Sequence, residues 1–133
     1  MEELIGLWKL VSLTFIYPDG RREEPWGKVE WRITYAADSQ MMAMLMHGRR
    51  NQAHGGDADP SVMSNYSAYF GTYKVDAENG FISHKVSGSL NANASGDLER
   101  TFAFEGDNLI LGFTLPIDGT PVTRRLVWKR LVG

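Results

Sequence analysis

The sequence predicts an all-β protein: an eight-stranded antiparallel up-and-down barrel with one short helix between the third and fourth strands. Three observations predict it. Eight short runs rich in β-branched and aromatic residues are separated by turn signals. Within them apolar and polar residues alternate, as where Trp31, Ile33 and Tyr35 interleave with Glu30, Arg32 and Thr34, the period of a strand with one buried face. The two ends also answer each other. Gly6-Leu7-Trp8 opens the first run, and Arg124, Arg125, Trp128 and Arg130 stud the last. A meander of eight strands removes its exposed edges only by closing, and then holds packed side chains or one small ligand. A two-sheet sandwich is the competing architecture.

The first run, Leu7 to Tyr17, ends at Pro18-Asp19-Gly20, where proline fixes φ and glycine tolerates the turn. Polar residues 21–24 lead through Pro25-Trp26-Gly27 into the second run, Val29 to Ala36. Ala37-Asp38-Ser39 turns into the third, Met41 to His47. Residues 48–59 read as loop. Asp59 is an N-cap with Pro60 at the first helical position, which predicts a short helix through Phe70. The fourth run, Gly71 to Asp76, meets the turn Glu78-Asn79-Gly80. The fifth, Phe81 to Ser89, is followed by a polar loop over Asn91 to Gly96. The sixth, Leu98 to Glu105, turns at Gly106-Asp107. The seventh, Asn108 to Leu115, is expected to stop at Pro116. Asp118-Gly119 turns into the eighth, Val122 to Val132.

The 133 residues make a single domain, 1–133, long enough to bury a core. A net charge of −2 offers no bulk attraction to nucleic acid or anionic membrane, so neither is an expected partner. The chain has no cysteine, which excludes disulfides and thiolate metal sites. No basic stretch followed by an apolar one begins the sequence, and no apolar run has the roughly 20 residues that span a bilayer. A cytoplasmic setting is the expectation. No nucleophile elbow, P-loop or dinucleotide glycine motif is present, so serine-hydrolase, NTPase and nicotinamide roles lose their usual signal and no cofactor is expected.

The order of these pieces resembles the bacterial and fungal lipocalin-like domain family, relatives of the calycin barrels. Leu4 to Ser12 reads Leu-Ile-Gly-x-Trp-x-Leu-Val-Ser, the family's typical opening. Ile33, Tyr35 and Asp38 match its next segment, with Ser39 in place of glycine. Gly71-Thr72-Tyr73, a strand histidine at His84, Arg100-x-Phe102 and the ending Arg125-Leu126-Val127-Trp128-x-Arg130 follow in order. The resemblance covers nearly the whole chain. One departure is the loop Asn91-Ala92-Asn93-Ala94-Ser95, where the family usually carries a proline and an aromatic residue. The resemblance implies a fold and a cavity, not a reaction. Some lipocalin-like barrels in natural-product pathways are cyclases, which keeps an enzymatic reading open.

Alternation predicts which side chains face inward. Ile82, His84 and Val86 share a face, as do Leu98, Arg100, Phe102 and Phe104, and Tyr73 with Val75. Tyr73, His84 and Arg100 then stand on neighbouring strands of one wall. A buried arginine is costly unless paired, and no acidic residue is predicted on that face. Arg100 either meets an anionic or carbonyl-bearing ligand or stacks on an aromatic ring and bonds backbone carbonyls. His84 titrates near neutrality when unperturbed, so it is a candidate catalytic acid–base, a ligand contact or a core residue. Tyr73 is a candidate ligand contact through its hydroxyl or a core residue with a polar tip. Trp31, Tyr35, Phe102, Phe104, Leu111 and Phe113 are candidate lining of an apolar cavity.

Four methionines, Met41, Met42, Met44 and Met46, crowd the third run. They are soft and adaptable, but they cannot all face inward, which hints at a homodimer. His47, His54, Asp57 and Asp59 match no metal spacing, and no metal site is expected. The loop that holds them is a candidate lid, and Arg49 and Arg50 within it are expected to be solvated. Gly6, Trp8, Arg125 and Trp128 are assigned to barrel closure, with Arg124, Arg125 or Arg130 as the cation over Trp8. The functional expectation is a binder of a small, mostly apolar molecule with a polar or anionic head. The alternatives are a cofactor-free cyclase or isomerase with His84 as acid–base, and a structural module with a filled interior.

Overall fold

The computed structural model describes residues 2–24, 29–47, 66–89 and 96–132. A 3-10 turn, Glu2–Leu4, precedes nine strands: β1 (Gly6–Ile16), β2 (Arg22–Glu23), β3 (Val29–Tyr35), β4 (Gln40–His47), β5 (Tyr66–Asp76), β6 (Phe81–Ser89), β7 (Gly96–Glu105), β8 (Asn108–Ile117) and β9 (Thr120–Val132). From β3 to β9 each strand pairs antiparallel with the next. β1 pairs β3 on one side and β9 on the other. The sheet therefore closes into an eight-stranded up-and-down barrel, with the two-residue β2 added against the end of β1.

The expected helix is corrected over its last part. Tyr66 to Phe70 begin β5 and pair with Met42 to Met46. The period-two pattern of Tyr73 and Val75 continues backward through Gly71 and Tyr69, whereas the capping signal at Asp59 marks only a start. Residues 59–65 lie outside the described residues, and among those described there is no α-helix. The lid and metal-cluster readings of the 48–59 loop fall outside them as well.

Pro116 does not end the seventh run, because β8 continues to Ile117 with Pro116 opposite Pro121. The loop between is Asp118-Gly119 at φ 50° and 82°, a two-residue turn with both central residues left-handed. Counting from that turn, the pair 116–121 is a non-hydrogen-bonded one, whose missing N–H groups point away from each other. Neither proline faces a paired strand. The β1–β9 ladder ends at Ile16 and Thr123, and the β7–β8 ladder ends at Thr101 and Gly112. Proline is tolerated where no ladder bond is lost.

Inside the barrel, Trp8, Leu10, Leu13, Phe15, Ile33, Tyr35, Met41, Ile82, Leu109, Val122 and Trp128 are buried. A bulge between Leu10 and Ser12 turns Val11 outward and restores the inward phase at Leu13. The closure is built at one end. Trp8 Nε1 donates to the Leu4 carbonyl at 2.9 Å. The Arg130 guanidinium lies 4.3 Å from the Trp8 ring centroid and donates to the carbonyls of Ile5 and Glu3. Arg130 is thus the cation over Trp8. Arg125 stands on the closing strand opposite Thr14 but faces outward, where it bridges the exposed Glu105 at 3.1 Å. Replacing Arg130 with methionine is expected to cost about 2–4 kcal/mol, because two charged hydrogen bonds and a cation–π contact go together. Arg125→Met should cost less than about 1 kcal/mol, as an exposed ion pair does. Urea unfolding of the two variants beside the parent checks the difference.

Candidate functional site

Inward side chains of β3, β5 and β6 meet in a buried polar cluster. His84 sits on β6 directly opposite Tyr73 of β5 and is 1% exposed. Its Nε2 lies 2.6 Å from the Tyr35 hydroxyl and its Nδ1 lies 3.0 Å from the Tyr69 hydroxyl. A neutral imidazole has one donor and one acceptor nitrogen. One tyrosine therefore donates to the ring and the other accepts from it. Burial, and then the nearby Arg100 charge, push the His84 pKa down to about 3. Burial also raises the Tyr35 hydroxyl well above the usual tyrosine range and raises Tyr69. All three groups are uncharged near neutral pH.

Tyr73 packs edge-on against Tyr35 with ring centroids 4.9 Å apart. Its hydroxyl donates to the Ala36 carbonyl at 2.8 Å, and its N–H donates to the Ser39 carbonyl at 3.0 Å. Tyr73 thus ties β5 to the β3–β4 turn, and its proton is already engaged within the protein. Tyr73 stands opposite His84, as expected from alternation, but the hydroxyl at His84 Nδ1 belongs to Tyr69.

The opposite part of the wall carries two cations. Arg100 of β7 faces inward on the same side as Ile82, its partner on β6. Its guanidinium lies 3.9 Å from the Phe113 ring centroid, and its Nη1 donates to the Glu99 carbonyl at 3.2 Å. Burial lowers its pKa, while Tyr69 and Tyr35 act to raise it. Arg124 of β9 stands opposite Phe113 on β8 and opposite Phe15 on β1. Its guanidinium lies 4.7 Å from the Phe15 ring and 5.8 Å from the Phe113 ring. It also donates to the Leu115 and Val122 carbonyls at 2.6 and 2.7 Å. Phe15, Arg124, Phe113 and Arg100 therefore make a ladder of alternating rings and cations across four strands. Among the described residues, no carboxylate is ion-paired with either arginine.

The family model of the lipocalin-like domain matches residues 5–131. The chain belongs to that family. No curated protein and no solved structure matches it.

Within this lipocalin-like domain the expected lining is on the inner face. Trp31, Tyr35 and Leu111 are buried, and Phe102, Phe104 and Phe113 are partly buried against the same core. Phe104 lies 6.4 Å from Trp8, and Trp128 is buried at 2% exposure, its indole N–H without a hydrogen-bond partner among the described residues. Gly6 opens β1 at φ 142°. Of the clustered methionines, Met41 is inside at 2% exposure, whereas Met42 and Met44 face outward at 61% and 58%. With Ala68 and Phe70 they border an outer groove of about 600 Å³. Among the described residues no group of His, Asp and Glu could hold a metal ion.

Tyr69 is the residue that the sequence reading missed. The signal was present, since Tyr69, Gly71, Tyr73 and Val75 are evenly spaced by two. The helix expectation hid it.

Proposed function

We propose that this lipocalin-like barrel binds a small, mostly apolar molecule that carries an anionic head, with Arg100 as the counter-charge. The observation that carries the reading is the pair of inward arginines on the aromatic ladder. The partly buried Arg100 guanidinium is held by a ring and one backbone carbonyl among the described residues, which leaves donors that a ligand can use. The surrounding rings supply the apolar contact. Tyr69, held by His84 and close enough to Arg100 to feel its charge, offers a hydroxyl beside that head.

The cyclase or isomerase alternative has less support. A histidine that protonates only near pH 3, with both nitrogens bonded to tyrosines, is a poor acid–base at neutral pH. The filled-module alternative draws on the stacking of Arg100 on Phe113, which needs no ligand.

A matched pair of probes tests the proposal. 1-Anilinonaphthalene-8-sulfonate carries the anion, and N-phenyl-1-naphthylamine has the same rings without it. The parent is expected to bind the sulfonate at least tenfold more tightly. Arg100→Met should remove that preference while circular dichroism stays unchanged. Equal affinities in the parent, or a preference that survives the substitution, would overturn the reading.

A further inference from the structure

Among the described residues, β7 and β8 pair over only part of their lengths. Their ladder runs from Glu105 opposite Asn108 to Thr101 opposite Gly112 and stops there. Beyond that rung, residues 96–100 of β7 pair only with β6, and residues 113–117 of β8 pair only with β9. The two strands part like the arms of a fork. Three further features mark the gap. Leu115 has the inward phase of Leu111 and Phe113 and pairs with Val122 of β9, yet it is 52% exposed, because β7 does not stand beside it on the other side. Pro116 has no N–H to offer, which keeps this edge from recruiting another strand. A groove of about 520 Å³ occupies the fork, and its lining includes Leu98, Arg100, Phe113 and Leu115. Arg100, stacked on Phe113, sits where the arms separate.

We propose that this fork is the ligand's portal and the seat of its anionic head, the apolar body lying inward past Arg100. The proposal rests on the reading of Arg100 given above. Asp97 and Glu99, on the outward face of β7, make the outer lip of the same groove acidic. That lip turns the anion away from leading. The apolar end goes in first, and the head follows until the guanidinium holds it at the base of the fork.

The chain has no cysteine, so a single one can be labelled cleanly. Glu99→Cys places a bulky maleimide over the fork from outside. Thr120→Cys places the same label at the β8–β9 turn, beside the end of the barrel. Each labelled protein is compared with its own unlabelled form, by stopped-flow association of 1-anilinonaphthalene-8-sulfonate. The label at Glu99→Cys is expected to slow association at least tenfold, and the label at Thr120→Cys less than twofold. Equal slowing at both sites, slowing at Thr120→Cys alone, or none at either would overturn the portal and leave the binding reading standing. Absence of sulfonate binding in the unlabelled parent would overturn the binding reading, and the portal with it.

Discussion

Gly71→Ala is expected to cost about 4 kcal/mol or to prevent folding, the range reserved for substitutions with a severe steric cause. The added methyl carbon would lie 1.9 Å from the Lys85 carbonyl oxygen and 3.0 Å from the Ser87 nitrogen. Both are backbone atoms, so no side-chain rotation relieves the clash. The β5–β6 register shifts between Phe70 and Gly71, where the ladder passes from Gly88 to Val86. The extra residue, Ser87, brings the bulged backbone of β6 close to β5 at this point. Moving it away would disturb the pairing on both sides of the bulge, including Tyr73 opposite His84. Gly80→Ala is the control. Its φ of +74° strains an alanine, but its nearest contact is 3.9 Å away, so the cost should be about 1 kcal/mol. Urea midpoints for the two variants decide the matter. A Gly71→Ala protein as stable as Gly80→Ala would show that the bulge is not tight.

His84→Phe should lower stability by about 2–5 kcal/mol at pH 7.5, because two buried tyrosine hydroxyls lose their partner. The size of the loss should also depend on pH. In the folded protein the imidazole stays neutral down to about pH 3. In the unfolded chain it takes a proton below about pH 6.5. Between those values the unfolded state alone binds the proton, so falling pH favours unfolding by about 1.4 kcal/mol per pH unit. The parent carries this penalty and the phenylalanine variant does not. The gap between them should therefore narrow by about 2 kcal/mol from pH 7.5 to pH 5. Other titrating groups act on both proteins and cancel in the difference. Urea unfolding at several pH values reads it out, and a constant gap would mean that His84 is not held neutral.

Much of the barrel could be read from alternation because each strand buries one face and wets the other. The phase of Trp31, Ile33 and Tyr35, and of His84 and Arg100, follows from that alone. The closing pair was also legible, since tryptophan and arginine at the two ends have few other uses together. Three things were hidden for physical reasons. A capping pair at Asp59-Pro60 outweighed a period-two pattern that reached back to Tyr69. Pro116 looks like a strand end unless the neighbouring strand is known to be missing. The partners of His84 come from residues 15 and 49 positions away, a distance over which spacing carries no information. The same is true of the cation over Trp8: three arginines were candidates, and only the register of β1 against β9 selects Arg130.

The closure also sets an order of events in time. Arg130 bonds carbonyls 125 and 127 residues earlier in the chain, and every β1–β9 rung joins the first strand to the last. Contacts of such high sequence separation are slow to form, because the loop entropy must be lost before any of them is made. On the ribosome, at about 5–20 residues per second, β1 waits with an unpaired apolar edge until β9 has been made. Until that moment the nascent chain is an open, curling sheet with two sticky margins. The final strand is therefore what turns an open sheet with two free margins into a closed barrel.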